Sequence, residues 1–279
     1  MTNNAYKIGI VGTGMVGGAL KRYYESIGQK TFIYDKYKNL GSPKELNEAD
    51  LIFICVPTPY SFEYGCDLSF IKDALSFIKG SKTIVIKSTI LPGTTEIFQK
   101  KYLQHRFLFN PEFLSEATAD DDMSNPDIQV VGFTIQSRFI AEDVLKTLPK
   151  APFEKIMPAT EAEMVKYFHN THGTVKVSFA NQMHDLCEAL NVNYENVMQC
   201  AVKTKNIQIT NYLHVWHKGF RGYGGTCFPK DIRALIWLGD NLGVDLKIHK
   251  AAEEVNNKLM EKQNISDPES MGRSWSILN

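Results

Sequence analysis

An apolar run over residues 6–11 that empties into Gly12, Thr13, Gly14, Met15, Val16 and Gly17 constrains this chain more than any other stretch. The first glycine permits a tight turn out of a strand. The second lets a pyrophosphate approach the backbone, and the third lets the following helix pack close to the strand, with its N-terminal N–H groups facing the phosphates. The spacing predicts a strand, a phosphate-binding turn and a helix ending near Ile27. A second strand, residues 30–34, ends in Asp35, where a carboxylate would accept hydrogen bonds from the adenosine ribose hydroxyls. That favours NAD over NADP, since a 2′-phosphate would be repelled, although Lys36 and Lys38 offer it positive charge.

Strand and helix patterns continue to alternate. Ser42, Pro43 and Glu45 make a capped helix start, and residues 51–56 read as a buried strand ending at Pro57, Thr58 and Pro59. Residues 67–78, 93–102 and 137–148 read as helices, and 83–87, 107–109, 128–131 and 153–156 as strands. The chain is therefore expected to be α/β, with an N-terminal Rossmann-type doubly wound parallel sheet over residues 1–157. Ligands of such sheets bind at the carboxyl ends of the strands, where Pro57 to Pro59, Ser88 with Thr89, and Asn110 to Glu116 all fall.

From Thr160 the pattern is helical only. Thr160 and Glu163 read as a capping box, and apolar residues recur at Met164, Val165, Phe168, Val175, Phe179, Met183, Leu186, Cys187 and Leu190. One helix this long measures about 45 Å at 1.5 Å per residue, more than a small domain can cover, so a homodimer through it is expected. Lys166 and Asn170 stand one turn apart on it. Further helices are expected over 193–202, 230–241 and 246–262. Residues 158–263 then form an all-helical central domain, and 264–279 a polar tail that frays.

Within the central domain, the run Gly222, Tyr223, Gly224, Gly225, Thr226, Cys227, Phe228, Pro229, Lys230, Asp231 mounts a cysteine where a glycine-rich loop becomes a helix. Pro229 suits a first helical turn, and the unpaired N–H groups there, with Lys230, favour thiolate over thiol. Asp231 returns to the face of Cys227 one turn later, in reach of a water. A cysteine with such a carboxylate suggests covalent catalysis followed by hydrolysis. A buried structural cysteine in a glycine-rich turn would look the same.

Six segments in order resemble the UDP-glucose/GDP-mannose dehydrogenase family: GTGMVG with Asp35, VPTP at 56–59, KSTILPGTT at 87–95, NPEFLSEATA at 110–119, E-x-x-K-x-x-x-N from Glu163 to Asn170, and GYGGTCFPKD at 222–231. The resemblance implies a four-electron oxidation of a nucleotide sugar by NAD, UDP-glucose to UDP-glucuronate, through a thiohemiacetal and a thioester on Cys227. It assigns Lys166 and Asn170 to the oxygen that becomes anionic, and Asp231, Glu112 and Thr89 to water and protons. NAD would be held by Gly12 to Gly17, Asp35, Val56, Pro57, Thr58, Thr89, Glu116 and Lys230. The sugar would lie along Glu112, Phe113, Leu114 and Glu116 on one side and Phe220, Arg221, Gly222, Tyr223, Gly224 and Gly225 on the other, with Arg221 a candidate for phosphate. The family continues into a third domain that grips the nucleotide, and this sequence stops before it; the connection from Asp35 to Pro57 is also shorter than the family's.

Two other readings remain open: a two-electron dehydrogenase of a smaller alcohol or hydroxy acid, which would have no use for Cys227, and a noncatalytic NAD or nucleotide-sugar binding protein. Formal net charge is zero and no basic block occurs, which argues against nucleic acid. Five cysteines without close pair spacing and the lack of a long apolar run point to a reducing, cytoplasmic setting with no membrane contact. His214 and His217 lack a placed carboxylate or cysteine and are read as polar loop residues, His169 and His172 as helix surface, so no metal is expected.

Overall fold

Every residue of Ile8–Val11 (β1) is buried, as a parallel strand covered by helices on both faces must be. The computed structural model describes residues 6–204, 211–217 and 219–271. The chain divides into two units, Met1–Pro59 with Cys66–Lys166, and Tyr60–Gly65 with Tyr167–Asn279.

In the first unit β1 is followed by α1 (Met15–Ser26), β2 (Thr31–Asp35), β3 (Leu40–Gly41), α2 (Pro43–Leu46), β4 (Leu51–Ile54), α3 (Ser69–Phe77), β5 (Thr83–Ile86) and α4 (Thr94–Lys101). Then come β6 (Arg106–Phe109), α5 (Ala119–Ser124), β7 (Ile128–Phe133), α6 (Ala141–Thr147), β8 (Phe153–Pro158) and the start of α7 (Ala159–Ala189). The sheet runs β3-β2-β1-β4-β5-β6-β7-β8, so its winding reverses beside β1. Alternate residues serve opposite faces: Ile8, Ile10, Leu51, Phe53 and Val85 pack with Leu20 and Tyr24 of α1, whereas Ile52, Ile54, Ile84 and Ile86 pack with Ile71 of α3 and Phe98 of α4.

The sheet is the mostly parallel, doubly wound one expected, with two antiparallel pairings that the pattern did not foretell. β3 pairs antiparallel with β2, folded back through Asn39 (φ 52°), and β7 pairs antiparallel with β6. The connection from β6 to β7 stays at the carboxyl end of the sheet, where Asp120 of α5 is held by Arg22 of α1 at 2.5 Å, so the chain re-enters from that end and runs back. The capping box at Thr160 does not form. β8 leads directly into α7, Thr160 lies inside the helix, and Glu163 turns its carboxylate to α4 instead. The first turn of α7 presses on β7 at Gly132, where an added Cβ would come within 2.7 Å of Ala162 Cβ.

The second unit is not wholly helical. Besides α7 from Tyr167, α8 (Tyr194–Ala201), α9 (Phe228–Asn241) and α10 (Lys247–Lys262), it contains a short antiparallel pair, β9 (Trp216–His217) and β10 (Phe220–Arg221). Gly219, at φ +84°, turns between them. Val177, Tyr223, Ile232 and Ala252 form one core, and Ala180, Cys187, Tyr194, Leu213 and Val215 another. Residues 264–271 are tied down rather than frayed: Gly225 N donates to Pro268 O at 2.8 Å, and Glu269 pairs with Arg233 at 3.2 Å. Residues 272–279, the rest of the expected tail, lie outside the described residues.

Candidate active site

Each glycine of the turn after β1 has its own local reason. Gly12 has φ +84°, and a Cβ there would stand 2.6 Å from Cys55 O; one on Gly17 would stand 2.0 Å from Gly12 O. A Cβ on Gly14 would meet nothing within 4 Å. The open space at Gly14 leaves room for a phosphate to approach the backbone. Met15 and Val16 start α1, whose N-terminus carries no capping side chain and no acidic residue in its first turn, so its N–H groups suit an anion. These residues fit a dinucleotide.

Asp35 ends β2 as expected, and its carboxylate is already engaged. Oδ2 accepts from Thr13 N and Thr13 Oγ1, both at 2.8 Å, and Oδ1 accepts from Tyr37 N and Lys38 N, both at 3.1 Å. Burial would raise its pKa, but these hydrogen bonds outweigh that and hold it below the usual carboxylate value. Lys38 Nζ donates to Thr13 O at 2.6 Å, which fixes the turn from its other side.

At the ends of the next strands, Thr58 Oγ1 donates to Thr89 O at 2.6 Å and Ser88 Oγ to Val56 O at 2.7 Å. The loops after β4 and β5 are thereby locked together, with Thr58 and Thr89 buried and Pro57 exposed. After β6, Glu112 is buried; its Oε2 accepts from Leu114 N at 2.8 Å, and Lys166 Nζ donates to Glu112 Oε1 at 2.9 Å and Glu112 O at 2.6 Å. The Lys166 ammonium also lies 5.6 Å from the centre of the Phe113 ring. Glu116, farther along the loop, is exposed.

Beneath this pair lies a cation that pattern reading missed. Lys87, buried at the end of β5, donates to Asn110 Oδ1 at 2.5 Å, and Asn110 Nδ2 donates to Val130 O at 2.7 Å and Gln129 Oε1 at 3.2 Å. Burial pushes the Lys87 ammonium below its ordinary pKa, partly offset by Cys55 and Glu112; burial raises the neighbouring Cys55 thiol to about 12. A lysine closing an apolar strand, inside a recognised motif, was the available signal.

In the second unit, Cys227 is the N-cap of α9 and Pro229 lies in its first turn. Asp231 is fully buried: its N donates to Cys227 O at 2.9 Å, and its Oδ2 accepts from Asn170 Nδ2 at 2.5 Å. Lys230 pairs with Asp231 Oδ1. Cys227 is half-buried, with Thr226 Oγ1 3.9 Å from its sulfur. Arg221 does not stand free for a phosphate. Its guanidinium donates to Asp185 Oδ1 at 2.5 Å and Asn181 Oδ1 at 3.1 Å. That cation also occupies the carboxylate of the one His, Asp and Glu cluster among the described residues, His184, Asp185 and Glu188. His214, His169 and His172 are exposed, and the His217 side chain lies outside the described residues.

The structure thus joins Lys166 to Glu112 and Asn170 to Asp231, and α7 carries both Lys166 and Asn170. Residues 35–148 match the NAD binding domain of the UDP-glucose/GDP-mannose dehydrogenase family, and residues 160–258 its central domain. A UDP-glucose 6-dehydrogenase of Rickettsia typhi is 32% identical over 262 residues, covering 87% of this chain and 58% of that protein. The UDP-glucose 6-dehydrogenase TuaD of Bacillus subtilis is 29% identical over 90% of this chain and 63% of its own length. The chain thus spans about three-fifths of these relatives. Among solved structures, a UDP-glucose dehydrogenase from Pyrobaculum islandicum superposes with a TM-score of 0.80 at 27% identity, over 95% of this chain and 73% of that one. A UDP-D-ManNAc dehydrogenase from Pyrococcus horikoshii shares the fold at a TM-score of 0.78 and 22% identity, over 93% and 72% of the two chains. With its glycine turn, its buried Lys166–Glu112 and Asn170–Asp231 pairs and both domain matches, the chain belongs to the UDP-glucose/GDP-mannose dehydrogenase family.

Proposed function

We propose that this chain carries out the NAD-dependent four-electron oxidation of a nucleotide sugar, UDP-glucose to UDP-glucuronate. The observation that carries the reading is the start of α9: a half-buried cysteine occupies the N-cap position, and one turn on a buried carboxylate is aimed by Asn170. A structural cysteine has no use for that carboxylate.

Gly12 to Gly17 and Asp35 would hold NAD, and two NAD molecules bound in turn would each supply the acceptor for one hydride. Glu112 takes up the proton of the primary hydroxyl, and Lys166, paired with Glu112, donates with Asn170 to the oxygen as it becomes anionic. The Cys227 thiolate adds to the aldehyde carbon, giving a thiohemiacetal whose oxidation leaves a thioester. Asp231, Glu112 and Thr89 position the water that attacks the thioester carbon, the thiolate leaves, and the acid is released. Phe220 to Gly225 offer backbone to the sugar and diphosphate, and Glu112 to Glu116 its other side; Arg221 reaches the phosphates only by leaving Asp185.

The assembly we propose is a homodimer through α7. Met164, Phe168, Phe179 and Leu186 on its apolar stripe, and Leu190 just past its end, are exposed, Phe168 by 73%. No helix among the described residues is long and apolar enough to cross a membrane, and the proposed setting is the cytoplasm.

The test is the NADH yield per sugar across a panel of UDP, GDP and TDP sugars. Two per sugar is expected. One per sugar would replace this reading by a two-electron dehydrogenase, and none with any sugar by a binding protein.

A further inference from the structure

The backbone of residues 220–225 poses a problem that its own sequence does not solve. Gly222 at φ +101° and Gly225 at φ +76° bend it away from strand geometry, so beyond the short β9–β10 pairing no neighbouring strand can run alongside it. Tyr223 is buried all the same, and buried backbone N–H and C=O groups must find partners.

They find them on α10. Asn256, 2% exposed, accepts from Tyr223 N at 2.7 Å through Oδ1 and donates to Tyr223 O at 3.0 Å through Nδ2. Gln263, at the C-cap of α10, repeats the pattern on Arg221, accepting from its N at 2.8 Å and donating to its O at 3.0 Å. Each carboxamide therefore exchanges two hydrogen bonds with one residue, as a residue opposite it in an antiparallel ladder would. Gly225 N continues the series by donating to Pro268 O at 2.8 Å. Asn256 also fills the space beside Gly222, where an added Cβ would lie 2.5 Å from Asn256 Oδ1.

We propose that Asn256 and Gln263 are positioning residues, a side-chain clasp that stands in for a missing strand and holds the substrate-binding backbone of residues 220–225 in its bent form. The proposal rests on the reading of that segment as the part that meets the nucleotide sugar. A carboxamide is required at both positions, because a carboxylate of the same shape accepts the N–H but cannot donate to the carbonyl.

The test uses the full chain with Asn256→Asp and, as a milder change at the half-buried end of the clasp, Gln263→Glu. Amide hydrogen exchange of the 220–225 segment is read without substrate, alongside thermal unfolding, NAD affinity, and KM and kcat for the nucleotide sugar. Each variant keeps the N–H bond but loses the bond to the carbonyl and sets a carboxylate oxygen against it, so the segment should open more often and exchange at Tyr223 or Arg221 should speed by about tenfold or more. KM for the sugar should rise by about tenfold, with kcat changed by less than about threefold and NAD affinity unchanged. Unchanged exchange in both variants would overturn the clasp, and faster exchange with an unchanged KM would overturn its role in substrate binding. A parent chain that oxidises no nucleotide sugar would refute the functional reading instead, before any variant is compared, and the exchange result would still judge the clasp.

Discussion

Glu163→Gln should remove a pH dependence from the stability of this protein. Glu163 is fully buried, its Oε1 accepting from Thr95 N at 2.9 Å and Thr95 Oγ1 at 2.6 Å, its Oε2 from Gly93 N at 2.5 Å. It thus serves the N-terminus of α4 from a place 68 residues downstream of Thr95. Burial raises its pKa from 4.5 to about 7, against the lowering by these hydrogen bonds. The folded state therefore holds the proton more tightly than the unfolded state does. Stability present below pH 4.5 is lost as pH rises to about 7, and the lost amount is on the order of 3 kcal/mol. In the glutamine variant Oε1 keeps both Thr95 bonds, while the NH2 group faces the Gly93 N–H and leaves it unpaired, at a cost of about 1–3 kcal/mol. The variant is then less stable than the parent at pH 5 and close to it by pH 7.5, where the parent carries a buried charge. Urea unfolding of both proteins across pH 4.5–8 measures this, since carboxylates common to both cancel in the difference. Two curves that stay parallel would refute the reasoning.

The Tyr223 hydroxyl is buried with no hydrogen-bond partner among the described residues, so Tyr223→Phe should leave the melting temperature unchanged or raise it, by up to about 1–3 kcal/mol in stability. A clear drop would mean that the hydroxyl has a partner. Asn110→Leu strips the buried Lys87 ammonium of its acceptor and should cost about 3 kcal/mol or more in chemical unfolding; a loss under about 1 kcal/mol would show that the Lys87–Asn110 bond is unimportant. Phe179→Glu with Leu186→Glu, both exposed on α7, should convert a dimer to monomer in sedimentation at micromolar concentration, and an unchanged dimer would place the interface elsewhere.

What could be read in the sequence was local. Gly12, Gly14 and Gly17 act on the turn they belong to, Ser42 caps α2 by accepting from Glu45 N three residues on, and strands β1, β4 and β5 are short apolar runs that need no partner to be recognised. What stayed hidden was held by distant groups. β3 is two residues long, with no periodicity to detect, and the direction of β7 depends on the course of the loop before it. Glu163 has the spacing of a capping box yet caps another helix, because β8 runs straight into α7 and leaves no free turn at Thr160. The Lys87–Asn110 bond spans 23 positions, and the clasps of Asn256 and Gln263 span 33 and 42. Arg221 looked available for a phosphate only because Asp185, on α7, is 36 residues away.

Covalent capture at Cys227 is the central chemical claim, and mass spectrometry of the quenched protein tests it directly. The Asp231→Asn variant, which should hydrolyse the thioester slowly, is mixed with NAD and UDP-glucose, quenched in acid and digested. The peptide containing Cys227 should carry a UDP-glucuronyl acyl group that is lost on treatment with hydroxylamine. Formation of the acid by the parent chain, with no adduct on Cys227 in the variant at any quench time and undiminished turnover in Cys227→Ser, would contradict the account.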